Sequence, residues 1–224
     1  MIAIGYDVGS SFVKAALFDI ESGKSLAVER VPEVEIPIMA HNIGWAEQDP
    51  LLWWEYLCKA TKSLIKKADI KPDQITSIGI SYQMHGLVLV DKDLNVLRKS
   101  IIWCDSRATS YGQKAFESLS RSYCKQHLLN SPGNFTASKL AWVIENEPSL
   151  YEKTYKFMLP GDFLVAKLTG ETQTTINGLS EGIFWDFKND SPSEALFKHY
   201  KIDQSLIPEI VPNFEEQAKV SKKA

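Results

Sequence analysis

The segment IAIGYDVGSSFVKAALFDIESGKSLAVERV, residues 2–31, decides the fold of this chain. Ile2–Val8 is an apolar run that predicts a buried strand, and Phe12–Asp19 is rich in β-forming residues. Ser25–Val31 alternates weakly between apolar and polar residues, and the ESGK stretch at 21–24 predicts the turn before it. Three consecutive strands with short turns predict an antiparallel meander, because no crossover helix separates them.

A helix and a further strand extend this meander. In WAEQDP, Asp49 is a good N-cap and Pro50 suits the first helical position, so a helix is predicted over 51–68. Ile75–Gln83 is apolar enough to predict a central strand. The order β-β-β-α-β predicts an α/β fold, a mixed sheet with a three-strand antiparallel edge and flanking helices. This order is typical of the ribonuclease H-like core of actin-type ATPases and sugar kinases.

The remainder of the chain predicts further short elements. The pattern of Leu87–Leu97 predicts a hairpin with an Asp-Lys-Asp turn, and Gly170 is predicted to end a helix. The other predicted elements are strands at Ser100–Trp103 and Tyr155–Leu159 and helices at Ser106–Leu119, Thr136–Glu147 and Pro160–Leu168.

Composition excludes several classes of function. The 224 residues are 44% hydrophobic and 24% charged, with a net charge of −3, so no basic field is present to bind nucleic acid or an anionic membrane. Cys58, Cys104 and Cys124 are widely spaced and odd in number, which favours reduced thiols over disulfides. The N-terminus lacks a basic leader region, and Asp7 interrupts its apolar run, so a cytoplasmic protein without a membrane partner is expected.

The turn DVGSSFVKA, residues 7–15, is the first candidate site. Gly9 offers conformational freedom, and the backbone N–H groups and hydroxyls of Ser10 and Ser11 could face a phosphate. Lys14 adds a positive charge, whereas Asp7 would repel phosphate unless Mg²⁺ lay between them. The alternative is a plain hairpin turn, in which aspartate and glycine are common.

SYQMHG, residues 81–86, is the second candidate site. Gln83, Met84 and His85 follow a predicted strand, where polar side chains often line a cleft, and histidine can bind vicinal hydroxyls. A structural histidine that hydrogen-bonds within the protein is the alternative for His85.

WCDSR, residues 103–107, is the third candidate site. Trp103 offers an apolar surface for the C–H faces of a sugar, and Asp105 and Arg107 offer an acceptor and a forked donor. An internal pair between these two residues, with Asp105 capping a helix, is equally open.

Taken in order, these segments resemble the FGGY family of carbohydrate kinases over nearly the whole chain. The segments that carry the resemblance are GYDVGSSFVKAALFD, GWAEQDPLLWWE, IGISYQMHGLVLVD, SIIWCDSRA, GNFTASKLAWVIENEP and LPGDFLVAKLTGE. The Gln-Met-His-Gly stretch resembles members that act on D-xylulose. NGLSEG, residues 177–182, departs from the family's pattern, because it lacks the aspartate that many relatives carry in this segment.

The resemblance implies an enzyme of two ribonuclease H-like domains that transfers a phosphoryl group from ATP to a sugar. Asp7 would organise Mg²⁺, and Gly9, Ser10 and Ser11 with Lys14 would form the phosphate loop.

On the sugar side, the resemblance implies that Gln83, Met84 and His85 contact the sugar. Trp103 and Asp105 would line or brace its pocket, and Asn134 would add a contact.

Members of the family are about twice as long as this chain. We therefore expect residues 1–224 to be the sugar-binding N-terminal domain without its final segment. The ATP-binding domain and the catalytic aspartate would lie beyond residue 224, and the chain alone would be inactive. A homodimer is compatible with the resemblance. Two alternatives remain open, another FGGY activity on ribulose, gluconate, glycerol or a similar polyol, and a non-catalytic actin-like sugar-binding module.

Overall fold

The structure, a computed structural model, describes residues 1–222 and 224, and the chain divides into two compact units. Unit 1 comprises residues 1–38 and 48–83, and unit 2 comprises residues 39–47 and 84–224.

Unit 1 is a four-stranded sheet with one long helix. Its elements are β1 (Ile2–Val8), β2 (Val13–Asp19), β3 (Lys24–Val31), α1 (Pro50–Ala68), a short 3₁₀ turn (Pro72–Gln74) and β5 (Ile75–Tyr82), while the short strand β4 (Glu47–Gln48) spans the boundary with unit 2. The strand order is β3-β2-β1-β5, antiparallel at the first two pairings and parallel between β1 and β5. The predicted mixed sheet with a three-strand antiparallel edge is confirmed.

Helix α1 covers one face of this sheet and begins as predicted. The Asp49 side chain accepts a hydrogen bond from the Leu51 backbone N–H at 3.0 Å, and Pro50 occupies the first turn. Trp53 and Leu57 are fully or almost fully buried along the helix. Burying a large apolar side chain contributes about 1.5–3 kcal/mol, so this face anchors the unit.

Strand β5 lies at the edge of the sheet that the described residues form, so the prediction of a central strand was wrong. Most of its residues are exposed, and elsewhere in the sheet Phe18 of β2 and Val28 of β3 are exposed as well. The physical reason is that apolar content shows how much side-chain surface a strand can bury, whereas the elements packed against it determine how much is buried.

Unit 2 is built from short strands and helices around one large core. Its elements are β6 (Val88–Val90), β7 (Ser100–Ile101), α2 (Thr109–Leu119), α3 (Arg121–Tyr123) with a π-helical turn (Cys124–Leu128), α4 (Thr136–Asn146), α5 (Pro148–Tyr151), β8 (Lys156–Met158), α6 (Pro160–Thr169), β9 (Gln173–Thr175), α7 (Ile176–Glu181), β10 (Trp185–Asp186), β11 (Ser191–Pro192), α8 (Glu194–Tyr200), a 3₁₀ turn (Gln204–Leu206) and β12 (Glu209–Val211). The elements that follow Gly170 were not predicted, because they are too short to show a periodic pattern.

The predicted boundaries in unit 2 agree closely with the structure. The hairpin is present, with the Leu97 N–H donating to the Leu89 carbonyl at 2.9 Å, and α6 ends at Gly170 with a left-handed φ of 85°. Helix α2 begins at Thr109, three residues later than predicted. The delay arises because the Asp105 carboxylate accepts the Arg107 N–H at 2.9 Å and holds a turn there.

The core of unit 2 combines aliphatic side chains with a group of packed aromatic rings. The rings of Phe157 and Phe184 stack at 4.4 Å between centroids, and Phe197 lies 5.6 Å from Phe184. Helix α4 is buried along most of its length, including the polar residue Lys139. A charged side chain that is buried requires hydrogen-bond partners, and the partners of Lys139 belong to the candidate site.

Two further features of the described residues bear on the sequence analysis. None of their helices combines the length and apolar character that crossing a membrane requires. Cys58, Cys104 and Cys124 are all free thiols, as the sequence predicted.

Candidate functional site

In unit 1, Asp7 and Lys14 lie opposite each other on β1 and β2. The Lys14 ammonium is 3.1 Å from the Asp7 carboxylate, and both side chains remain more than half exposed. A groove of about 680 Å³ opens beside them, and the small residues Gly5 and Ala16 are part of its lining. The pair is therefore accessible to a charged ligand.

In the loop that follows Asp7, the structure differs from what was expected of Gly9. Its N–H donates to the Phe12 carbonyl at 2.9 Å, so this donor is not available to a phosphate. Gly9 is not among the glycines with a left-handed φ, and a Cβ there would come no closer than 3.4 Å to that carbonyl. Ser10 and Ser11 are half-buried. The phosphate-loop assignment of these residues stays a prediction.

Gln48 holds this loop in place, and the sequence analysis missed it. Its buried side-chain amide donates to the Ser10 carbonyl at 2.6 Å. The amide oxygen accepts from the Trp53 indole and from the Gln83 side chain, each at 3.2 Å. Gln83 Oε1 is buried without a hydrogen-bond partner. The position of Gln48 directly before the helix cap in AEQDP was the signal that could have identified it.

In unit 2, His85 is held by a residue that the sequence analysis did not single out. Its N–H donates to the Glu181 carboxylate, and its ring Nδ1 lies 2.5 Å from Glu181 Oε1. The Phe135 ring packs edge-on against the imidazole, with 4.3 Å between centroids. Glu181 belongs to the NGLSEG segment, where the departure from the family's pattern was the available signal.

Lys139 supports the same histidine from α4 and was also missed. Its ammonium donates to the His85 carbonyl at 2.6 Å and to the Ile102 carbonyl at 3.0 Å. Burial lowers the pKa of Lys139 to about 8, although the carboxylates of Asp105 and Glu181 oppose this shift. Lys139 therefore joins the His85 loop to the loop that begins after Ile102.

In the loop that begins after Ile102, Asp105 braces the neighbouring segments through hydrogen bonds. It is fully buried, and its carboxylate accepts from the Ala46 N–H at 2.6 Å and from the Arg107 guanidinium at 2.7 Å. Arg107 in turn lies 3.7 Å above the Trp45 ring. The predicted internal Asp–Arg pair is present, whereas Asp105 is not the helix cap, because α2 has Ala108 at that position.

The neighbouring predicted residues differ in exposure. Met84 and Trp103 have about half of their surface exposed. The Asn134 side-chain amide donates to the Asp105 carbonyl, which leaves its oxygen buried and without a partner. Unit 2 thus brings His85, Asp105 and Asn134 together through these hydrogen bonds.

Three buried oxygen atoms in this part of unit 2 lack hydrogen-bond partners. They are Glu181 Oε2, Asn134 Oδ1 and Thr136 Oγ1. Two contacts connect their segments, the packing of Phe135 against His85 and a hydrogen bond from Ala137 N–H to Gly182 O at 3.0 Å. Buried polar atoms are seldom left unsatisfied, so this cluster suits a ligand with several hydroxyl donors.

Among the described residues, no group of three or more histidine, cysteine, aspartate or glutamate side chains is arranged to hold a metal ion. Asp7 supplies a single accessible carboxylate. This donor set fits magnesium, which proteins often bind through one or two carboxylates, waters and substrate phosphates.

Comparison with known proteins identifies the family. The model of the "FGGY family of carbohydrate kinases, N-terminal domain" matches residues 2–224. The chain belongs to the FGGY family of carbohydrate kinases. The family and its fold, which the sequence predicted, are therefore confirmed.

Individual FGGY proteins resemble this chain at a moderate level. A xylulose kinase of Staphylococcus xylosus is 30% identical, with 98% of this chain and 44% of the relative covered. A glycerol kinase of Thermococcus onnurineus is 29% identical over 95% of this chain and 43% of the relative. The crystal structure of a "xyloylose kinase" from Brucella ovis matches with a TM-score of 0.91 and 28% identity, covering 100% of this chain and 46% of that one.

The chain thus spans less than half the length of these FGGY relatives. Relatives of similar identity act on different substrates by name, so family membership supports a carbohydrate kinase and leaves the sugar open.

Proposed function

We propose that the chain is the sugar-binding N-terminal domain of an ATP-dependent kinase that converts D-xylulose to D-xylulose 5-phosphate. The observation that carries the proposal is the cluster of unpartnered acceptor atoms around His85. The xylulose kinases among the similar proteins support the choice of sugar.

On the sugar side, D-xylulose presents several hydroxyl groups that can donate to these acceptors. Glu181 Oε2 and Asn134 Oδ1 can only accept hydrogen bonds, so they would bind hydroxyl donors and not other acceptors. Met84 and Trp103 offer exposed apolar surface for the C–H faces of the sugar. Asp105 would brace this pocket without touching the sugar, since its carboxylate is engaged.

On the phosphate side, Asp7 would hold Mg²⁺ directly or through water, with Lys14 beside it as a charge toward the phosphates. Ser10 and Ser11 would complete the phosphate loop, and Gly9 would close its turn through the hydrogen bond to the Phe12 carbonyl. Bound magnesium supplies positive charge that offsets the charge on phosphate oxygens. Asp7 would orient that charge, and its contribution would be electrostatic, which is the main demand of phosphoryl transfer.

The chemistry would be in-line transfer of the terminal phosphoryl group of ATP to the primary hydroxyl of the sugar. The O–P bond to the sugar forms as the bond to ADP breaks, and the hydroxyl proton passes to a general base. We assign that base to an aspartate beyond residue 224, in the part of the kinase that also holds most of the ATP site. The length of the relatives supports this division. The chain alone would bind sugar and have no kinase activity.

A cytoplasmic location belongs to the same proposal. Oligomerisation as a homodimer would leave this division of roles unchanged.

The test is phosphorylation of a sugar panel by the full-length kinase. With D-xylulose, D-ribulose, gluconate and glycerol at equal concentrations, we expect the highest kcat/KM for D-xylulose. Faster turnover of glycerol, which the glycerol kinase relatives make the main competitor, would reject the substrate assignment and keep the kinase. Tight sugar binding with no turnover of any sugar would favour a non-catalytic module.

A further inference from the structure

His85 has a backbone conformation that requires support. Its φ is 58°, in the left-handed region that non-glycine residues seldom adopt and that costs about 1 kcal/mol. Glu181 accepts from its N–H, and Lys139 donates to its carbonyl at 2.6 Å. Two side chains from two different helices thus hold one residue, which is typical of a position where the orientation of a side chain matters.

We propose that Glu181 is a positioning residue that fixes the imidazole tautomer of His85, so that Nδ1 carries the proton and Nε2 is free to accept a sugar hydroxyl. The proposal rests on the proposed function for its ligand. The geometry that supports it is the 2.5 Å contact between His85 Nδ1 and Glu181 Oε1.

The chemistry of the pair determines which nitrogen is protonated. The angle of the contact leaves Nδ1 without a hydrogen bond, but at 2.5 Å a lone pair on Nδ1 would be repelled by the ionised carboxylate. The nitrogen that faces Glu181 therefore carries the proton. In a neutral imidazole the other nitrogen, Nε2, then has a lone pair. Without Glu181, the tautomer would no longer be fixed, and an Nε2–H form would present a donor to the sugar.

The surroundings of Glu181 suit a polyol. Its second oxygen, Oε2, is buried and has no hydrogen-bond partner, as is the case for Asn134 Oδ1. A flip of the Asn134 side-chain amide would lose a hydrogen bond, because its nitrogen donates to the Asp105 carbonyl. With Nε2 as an acceptor, the site would offer three acceptors to vicinal hydroxyl donors.

The test joins the tautomer of His85 to sugar affinity. In the ¹⁵N-histidine-labelled 224-residue chain, ring nitrogen shifts report the tautomer, and His85→Gln identifies the resonances. We expect the Nδ1–H form in wild type, its loss in Glu181→Ala, and its retention in Glu181→Gln, whose amide oxygen can still accept. Calorimetry should show D-xylulose affinity about 30-fold weaker in Glu181→Ala and about threefold weaker in Glu181→Gln.

Glu147→Ala is the matched control. Glu147 is a part-buried carboxylate of unit 2 that pairs with Arg98 at 3.0 Å, and no hydrogen bond joins it to His85. Its removal should change neither the tautomer nor the affinity. An Nε2–H histidine in wild type, or a tautomer that Glu181→Ala leaves unchanged, would overturn the proposal.

The two proposals fail separately. If the tautomer responds to Glu181 and no sugar of the panel binds, the positioning role stands and the proposed function is rejected. If D-xylulose binds with equal affinity to all three proteins, the kinase proposal survives and the role of Glu181 in sugar binding is rejected.

Discussion

The two units support their predicted site residues in different ways. In unit 1, Asp7 and Lys14 form an exposed ion pair above a groove. In unit 2, His85 is fixed by Glu181 and Lys139. An accessible charged pair can adapt to a ligand that brings its own charges, whereas a fixed imidazole is suited to distinguish one pattern of hydroxyls from another.

The difference extends to the ion pairs themselves. Arg107 and Asp105 are buried and joined by direct hydrogen bonds, while Lys14 and Asp7 face solvent. A buried pair depends on both partners, because the loss of one leaves an uncompensated charge. An exposed pair is worth little to stability, because water replaces each partner.

The largest effect should come from Arg107→Met. It would leave the buried Asp105 carboxylate without its main partner and lower the free energy of unfolding by about 3–5 kcal/mol. Lys14→Met, which breaks the exposed pair, should lower it by less than about 1 kcal/mol. Urea unfolding of both variants measures the contrast, and equal losses would show that the two units do not differ as described.

Asp7→Asn should reduce kcat of the full-length kinase about 300-fold and leave the KM for sugar unchanged, because it removes electrostatic stabilisation from the phosphate side alone. Steady-state kinetics provides both constants. Asp19→Asn, which alters a carboxylate at the other end of the same strand pair, is the control and should retain wild-type kcat. A large rise in sugar KM for Asp7→Asn would place Asp7 in sugar binding instead.

His85→Ala should raise the KM for D-xylulose about 100-fold with a smaller change in kcat, because the sugar loses a hydrogen bond and Glu181 loses its contact with the imidazole, keeping only the backbone N–H. His85→Asn tests the same loss with a residue that tolerates the left-handed backbone. The exposed His41 supplies the control His41→Ala, which should leave KM unchanged. A KM that neither His85 variant changes would remove His85 from the sugar site.

Lys139→Met should alter the pH dependence of stability. The folded-state pKa of Lys139 is lowered from 10.5 to about 8, so between these values the unfolded chain binds more protons than the folded chain. Wild type should therefore gain about 2 kcal/mol of stability relative to Lys139→Met between pH 7.5 and pH 9.5.

The measurement is urea unfolding of both proteins at the two pH values. Lysines and tyrosines that both proteins contain titrate equally in each. Their contribution therefore cancels when the two free energies of unfolding are subtracted. Lys153→Met, at an exposed position of unit 2, should parallel wild type. Parallel pH curves for wild type and Lys139→Met would contradict the lowered pKa.

Much of unit 1 was predictable from the sequence. The strands and α1 follow from hydrophobic periodicity and from the cap at Asp49, which are local signals. The edge position of β5 was not predictable in this way, because burial depends on neighbours that periodicity does not specify.

The site in unit 2 was predictable only in part. The pair between Asp105 and Arg107 is local, so its pattern could be seen. The contact between His85 and Glu181 joins residues 96 positions apart. The sequence around Lys139 indicates an apolar helix and does not distinguish this lysine. Such contacts are set by tertiary packing, and one sequence holds no direct signal for them.

The most direct test of the account is calorimetry of the 224-residue chain with D-xylulose and, separately, with Mg-ATP. The proposed sugar site lies within unit 2, so we predict measurable D-xylulose binding that His85→Ala abolishes. Little binding of Mg-ATP and no phosphorylation of the sugar should accompany it. Absence of sugar binding, or kinase activity from this chain alone, would contradict the proposed division between sugar binding here and catalysis elsewhere.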